Sequence, residues 1–326
     1  MHLQGQSLKS SQKTTRSGVR PSARLQGQSL KVDLSVIIVS YNAAPFLRET
    51  LQSLKEQVGL SYEVIIVDNG SRDDSSRVVA EVMPDATWLP QSTNLGFSRA
   101  NNVGVRVARG ETLLFLNSDV TLPDQDALAH CLKRLSADPK IGVLSPRVNL
   151  VSSGQIDATC HRGFPTPWAS FTHFTGLEKL FPHVPLFNGY TKRYLGYDHE
   201  HSIDAVGGMC MFVPRAVGDA LGWWDEDYMF YGEDLDLCYR AHEAGYQVWY
   251  YPEVVILHHK GASTGMSESS RAVTTASRET TRQVKKWSVE AMQLFYDKHY
   301  RDTYPRWVTR LVHLGIKGMY LIRVGL

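Results

Sequence analysis

Four apolar residues, Leu113-Leu114-Phe115-Leu116, run without a break into three polar ones, Asn117-Ser118-Asp119. The apolar run is too short for a helix and follows Gly110, so it predicts a strand buried on both faces. In an open α/β sheet, ligands bind beyond the carboxyl ends of the strands, where Asn117 and Asp119 would stand. Two residues apart in extended backbone, their side chains point the same way. An amide and a carboxylate aimed into one crevice suit a ribose hydroxyl and a hard cation. A polar strand-to-loop turn would use the same residue types, so the weight falls on what surrounds the stretch.

What surrounds it is a regular alternation. Ser35–Val39 is β-branched and ends at Ser40-Tyr41-Asn42. Pro45 then opens a helix with Leu47, Leu51, Leu54 and Val58 on one face. Glu63–Val67 reads as a second strand, ending at Asp68-Asn69-Gly70-Ser71. Asp73–Val82 reads as a helix with acids at its start. Ala86–Leu89 is a short third strand. Asn94-Leu95-Gly96-Phe97 turns into a helix, Ser98–Arg109, closed by Gly110. Beyond the opening stretch come a helix, Pro123–Leu135, and a strand, Ile141–Leu144. Strands and helices alternating at this spacing predict right-handed βαβ units and an α/β domain with a mostly parallel sheet.

The second half is less regular. Residues 151–203 are rich in aromatics, Pro, Gly and His without a clear period, which predicts a functional surface loop or lid. Order returns with Ala205–Val213, whose Gly207-Gly208 pair predicts backbone approached closely by a ligand or another chain segment. Tyr231–Leu237 opens a helix that reaches Gly245. Two strands, Gln247–Tyr251 and Val254–Leu257, lead to His258-His259-Lys260-Gly261. A long helix over 275–300 and a basic C-terminal segment follow.

Charge is unevenly spread. Lys and Arg number 35 and Asp and Glu 33, but residues 1–31 and 305–326 carry ten of the basic residues and no acid. The acidic middle does not resemble a nucleic-acid binder, and the basic ends suit an anionic lipid surface. Residues 1–31, in which LQGQSLK occurs twice, read as a disordered tail. Cys131, Cys160, Cys210 and Cys238 are scattered and form no CxxC pair, which argues against a disulfide framework or zinc site and fits a reducing cytosol. There is no secretory h-region and no run of about 20 apolar residues. From Trp307, the residues Leu311, Leu314, Gly318 and Leu321–Ile322 recur at helical spacing beside Arg306, Arg310, His313 and Lys317. That pattern predicts a helix lying in the headgroup plane of an anionic leaflet, or an amphipathic helix packed on the body. The expected location is cytoplasmic and peripheral, on the inner face of the plasma membrane.

Taken together, SVIIVSYN (35–42), VDNGSRDDS (67–75), NLGFSRANN (94–102), LFLNSDV (114–120), VGGMCMFV (206–213), DEDYMFYGEDLDLCYR (225–240) and HHKGAST (258–264) resemble a family 2 glycosyltransferase of the GT-A fold, and more narrowly its bacterial rhamnosyltransferase-like branch. The resemblance runs from about Leu34 to Lys260. It implies one Rossmann-like nucleotide-sugar-binding domain over 32–262 and a C-terminal helical extension over 263–326.

The resemblance also implies roles. Asp68 would accept a hydrogen bond from the donor's base. Asn117 and Asp119 match the family's DxD motif with Asn in place of the first acid: Asp119 would bind a divalent cation, Mg²⁺ or Mn²⁺, with His258 as a further ligand. Ser40, Asn42, Gly96, Arg99 and Ser118 would complete the donor site. Glu233-Asp234 matches the ED pair, with Asp234 as general base and Glu233 toward the acceptor. Trp223 and Trp224 would either stack on an acceptor sugar or anchor the domain. The implied reaction is inverting transfer, rhamnose favoured, from a nucleoside-diphosphate sugar to a glycan or polyprenyl-diphosphate-linked glycan in cell-surface polysaccharide synthesis. A nucleotidyltransferase would need a Gly- and basic-rich loop after the first strand, and SVIIVSYNAAPF has none. A nucleotide-sugar-binding protein without activity would lack the base or the metal ligand, and both are present.

Overall fold

A computed structural model describes residues 32–261 and 277–325. The tail with its repeated heptapeptide, the 262/263 boundary and Ala262–Thr264 of the last motif lie outside the described residues. In order, the elements are β1 (Leu34–Ser40), α1 (Ala44–Lys55), β2 (Tyr62–Asp68), α2 (Ser75–Val82), β3 (Thr87–Pro90), α3 (Phe97–Val105), β4 (Thr112–Asn117), β5 (Val120–Thr121), α4 (Ala127–Ala137) and β6 (Ile141–Leu150). They continue with α5 (Pro167–Phe174), α6 (Leu177–Leu180), β7 (His201–Ile203), β8 (Cys210–Pro214), α7 (Arg215–Leu221), α8 (Glu233–Glu243), β9 (Gln247–His258), α9 (Arg278–His299) and α10 (Arg306–Val324).

One sheet carries the strands in the order β3-β2-β1-β4-β8-β6-β9-β5, with β7 on the free side of β9. The long ladders β1–β2, β1–β4 and β6–β9 are parallel. Val36, Ile37 and Ile38 of β1 and Leu113, Leu114 and Phe115 of β4 are fully buried, as expected for strands covered on both faces. Leu47, Leu51 and Leu54 of α1 pack into the same core. β8 runs antiparallel to both β4 and β6, with Cys210 opposite Leu116 and Pro214 opposite Thr112. The chain therefore enters β8 from the carboxyl end of β4, and this brings residues 151–209 to the edge of the sheet where ligands bind.

Three expectations are corrected. α3 ends at Val105 rather than Arg109. Residues 106–108 form a closing turn, Val107 N donating to the Gly104 carbonyl, and side chains then take the Arg109 and Gly110 amides, Gly110 N donating to Ser35 Oγ at 2.7 Å and Arg109 N to Glu63 Oε1 at 2.7 Å. Gln247–His258 is one strand rather than two, with a register slip that pairs Pro146 with Tyr251 and Arg147 with Val255. Pro252, which has no N–H to give a ladder, falls in that slip. Residues 151–203 hold α5, α6 and β7 rather than a structureless loop. Polar contacts around a buried carboxylate organise part of the segment: His173 Nδ1 lies 2.8 Å from Glu178 Oε1, and Asn188 Nδ2 donates to the Glu178 carbonyl at 3.1 Å. Such contacts leave no hydrophobic period to read.

Candidate active site

Pairing of the short strand β5 with β9 builds one side of the site. Val120 lies opposite His258, and His259 N donates to the Asp119 carbonyl at 2.9 Å. The His258 imidazole thereby sits between two carboxylates, with Nε2 3.3 Å from Asp119 Oδ1 and Nδ1 3.2 Å from Asp157 Oδ2. Asp157 is fully buried and follows β6. Its Oδ1 also accepts from Lys260 Nζ at 2.7 Å, from Thr159 N at 3.0 Å and from Thr159 Oγ1 at 2.7 Å. Burial alone would raise the Asp157 carboxyl, but the hydrogen bonds and charges of His258 and Lys260 hold it far below the usual range. Burial pulls the His258 imidazole down, and the flanking Asp119 and Asp157 carboxylates outweigh it, raising the ring to about 9.

The other side is the N-terminus of α8. Gly232, at φ +84°, turns the chain into the helix, and Glu233, Asp234 and Asp236 fill the first turn, where the helix dipole favours negative charge. Asp234 Oδ2 accepts from Gly208 N at 3.1 Å and pairs with Arg162 Nη2 at 2.5 Å. Arg162 is buried and fixed by its backbone, which exchanges both amide hydrogen bonds with Ala205, at 3.1 and 2.9 Å. Glu233 is buried beside Asp234, and its Oε2 has no hydrogen-bond partner among the described residues. Burial, then the Asp234 charge, pushes the Glu233 carboxyl up.

Both sides face a single cavity of about 1440 Å³. Asn69, Asn94, Gly96, Asn117, Ser118 and Asp119 line it together with Arg162, Glu233, Asp234, His258 and Lys260. Gly96 is required by its neighbour. It sits at φ +82°, and a Cβ there would lie 2.5 Å from the Met229 carbonyl, which accepts from Phe97 N.

The model of the Glycosyl transferase family 2 matches residues 35–212, more than half of the chain. The chain belongs to glycosyltransferase family 2. It is 28% identical over 248 residues to the N-acetylglucosaminyl-diphospho-decaprenol L-rhamnosyltransferase of Mycobacterium tuberculosis, covering 73% of this chain and 79% of that protein. It is 24% identical over 250 residues to the low-salt glycan biosynthesis hexosyltransferase Agl10 of Haloferax volcanii, covering 76% and 73%. Among solved structures, the mannosyltransferase PcManGT from Pyrobaculum calidifontis, in complex with GDP-Man and Mn²⁺, superposes with a TM-score of 0.54 at 20% identity, covering 90% of this chain and 70% of that one. S. aureus TarS 1-349 does so at 0.51 and 16% identity, covering 83% and 73%. The fold of this glycosyltransferase is the GT-A fold.

In this family 2 glycosyltransferase, Gly96, Asn117, Ser118, Asp119, Glu233, Asp234 and His258 meet in the cavity as the sequence led one to expect. Others do not line it. Trp223 and Trp224 are in the core, so the anchoring reading holds and the stacking one is corrected: Trp224 packs edge-on to Phe115 and Phe97, and Trp223 Nε1 donates to Asp219 Oδ1. Arg99 points away to Glu226, at 3.7 Å, on the exposed face of α3. Ser40 is buried at the end of β1. Asn42 and Asp68 shape the turns beside the cavity, Asn42 Oδ1 accepting from Arg72 N and the Asp68 carboxylate from Ser71 N.

The sequence reading passed over Asp157, Arg162 and Lys260. Lys260 could have been flagged by standing two residues after His258. The spacing Asp157-x-Thr159 is a turn signal, but nothing in it points to His258. Among the described residues no group of three or more His, Cys, Asp or Glu converges on one point for a metal. Asp119 and His258 offer one carboxylate and one imidazole side by side, which fits a cation completed by substrate phosphate oxygens rather than an all-protein cage.

Proposed function

We propose that this glycosyltransferase moves a sugar, rhamnose favoured, from a nucleoside-diphosphate sugar to a glycan or polyprenyl-diphosphate-linked glycan. The proposed transfer inverts the anomeric centre, requires Mg²⁺ or Mn²⁺, and takes place at the inner face of the plasma membrane in cell-surface polysaccharide synthesis. The observation that carries this reading is that the Asp119–His258 pair and Asp234 line one cavity. Asp119 and His258 would hold the cation, which when bound supplies positive charge opposite the leaving diphosphate. Asp157 keeps His258 Nδ1 engaged and so presents Nε2 to the cation side. Lys260, on the same carboxylate, adds a positive charge to the cavity wall.

Asp234 accepts the proton of the acceptor hydroxyl as its oxygen attacks the anomeric carbon. Gly208 N–H and Arg162 fix the position of that carboxylate through Oδ2. One displacement inverts the centre, so no second catalytic carboxylate is required, in keeping with a Glu233 that burial favours as the neutral acid. The mycobacterial relative's decaprenol-linked acceptor supports the lipid-linked class. The 32–262 segment would be the catalytic domain and 263–326 its membrane-facing extension.

The test is a transfer assay over nucleotide sugars, dTDP-rhamnose first, with the product anomer assigned by NMR. Transfer with retained configuration, or donor cleavage into nucleotide monophosphate, would overturn the reading.

A further inference from the structure

The cavity does not stop at Asp234. It continues as a groove between α5 on one side and α9 with α10 on the other, walled by Trp168, Phe171, Trp287, Leu311, Ile316 and Met319. Several of these walls are apolar side chains that the fold leaves in solvent: Phe171 is 52% and Leu311 58% exposed. α10 packs with Val312 against the core and buries Ile316, while the adjacent stripe of Trp307, Leu314, Leu321 and Ile322 stands exposed. A third arc of the helix carries Arg306, Arg310 and Lys317, and the helix has no acid. Contiguous exposed apolar surface joined to a catalytic cavity marks a binding surface rather than an accident of packing.

We propose that this groove binds the isoprenoid chain of the lipid-linked acceptor, laid along α10 with its head at Asp234. The inference rests on the reading that the acceptor is lipid-linked. Three observations select this occupant. The donor diphosphate belongs at the Asp119 end, so a ligand leaving the cavity past Asp234 is the acceptor. The wall from Val308 to Met319 runs about 16 Å along the helix, longer than one sugar ring and apolar at Leu311, Val312, Ile316 and Met319. Arg323 of α10 lines the same cavity, and the other basic residues of this acid-free helix, on its far arc, complement the anionic leaflet in which such a lipid resides.

The test uses the full chain and two readouts. Binding of geranyl, farnesyl, geranylgeranyl and undecaprenyl phosphate is followed by tryptophan fluorescence without donor. Transfer is then measured to acceptors of one headgroup on the same chains. Affinity should rise at least about tenfold from geranyl to geranylgeranyl, because each buried methylene adds to it, and KM should fall in parallel. Phe171→Gln and Leu311→Gln change exposed side chains, so the fold should survive. They should flatten this dependence, weakening the long chains far more than geranyl, while leaving donor binding unchanged. Chain-length-independent binding, or variants that weaken short and long chains equally, would overturn the groove. Length-dependent binding with transfer only to soluble glycans would overturn the acceptor reading and leave a lipid site without that role. Concentration-dependent dimerisation that Leu311→Gln abolishes without lipid would give the groove to a second copy of the chain and overturn the proposal.

Discussion

Replacing Asp157 by Asn tests whether this buried carboxylate sets the geometry of His258. The change keeps the shape and one acceptor oxygen but removes the charge facing His258 and Lys260, at 3.2 and 2.7 Å. Breaking a buried ion pair costs about 3–5 kcal/mol when the remaining charge is stranded. Here His258 keeps Asp119 at 3.3 Å and Lys260 is partly exposed, so the loss belongs nearer the worth of one charge-assisted hydrogen bond, about 2–3 kcal/mol. For a chain of this size that lowers Tm by about 3–5 °C. The sign with pH follows from the raised His258 ring. Stability drawn from a raised His is full below its unfolded value, about 6.5, and is lost as pH rises through about 9. The gap between native and variant should therefore narrow on the alkaline side, leaving the part due to Lys260. Thermal melts in metal-free buffer across this range check the stability arm. Mn²⁺ titration of the nucleotide complex by EPR checks the geometry, with affinity expected to fall about 10–100-fold. A pH-independent gap together with unchanged Mn²⁺ affinity would refute the reasoning.

Asp234→Asn should retain nucleotide binding, read by calorimetry, and lose about 10²–10⁴-fold in turnover, because an amide cannot take the acceptor's proton. Transfer should stop in EDTA and return with Mg²⁺ or Mn²⁺, and Asp119→Ala should weaken nucleotide binding more with metal than without; full activity in chelator would remove both Asp119 and His258 from metal binding. Glu233 has a raised carboxyl, so the folded state holds its proton above the unfolded value near 4.5 and loses stability as pH rises toward the folded one. Glu233→Gln should accordingly melt higher than native at alkaline pH and close to it in mild acid, as followed by circular dichroism. Leu314→Glu with Ile322→Glu alters the outermost apolar residues of α10, which are 66% and 85% exposed. On the proposed membrane contact, the native chain should float with anionic liposomes at low salt and this double variant should not.

The half of the fold made of alternating strands and helices could be read from the sequence because each element there solves its burial locally. Val36–Ile38 must be covered on both sides, and Leu47, Leu51 and Leu54 can only face one way. The strand-end polar residues Asn117 and Asp119 follow from that alternation, whereas Asp234 is singled out by the resemblance of Glu233-Asp234 to the family's ED pair, an acid-rich helix start being ordinary in itself. The site's inner layer could not be read so. Asp157 reaches His258 across 101 residues, and Arg162 reaches Asp234 from a segment without period. Such contacts depend on where β8 re-enters the sheet, and no local pattern encodes that. Trp223 and Trp224 show the opposite error, since a tandem Trp near an acidic motif looks like a sugar platform until Phe115 is found edge-on against it.

The exchange of backbone hydrogen bonds between Arg162 and Ala205 closes the 163–204 segment, whose last residues are also tied to the sheet by β7. Its two ends are already adjacent, so a longer or shorter segment there changes the closure entropy only slowly with length. Arg162 of the clasp also pairs with Asp234, and Asp157 lies outside the clasp. The stretch through α5 and α6, with its exposed aromatics, adds no strand to the sheet, whereas β7 does. Exchanging that stretch inside the clasp offers a route to a differently shaped groove wall that leaves the contact between Arg162 and Asp234 in place. A graft that starts a few residues earlier would carry Asp157 and Arg162 away with it and disarm both halves of the site.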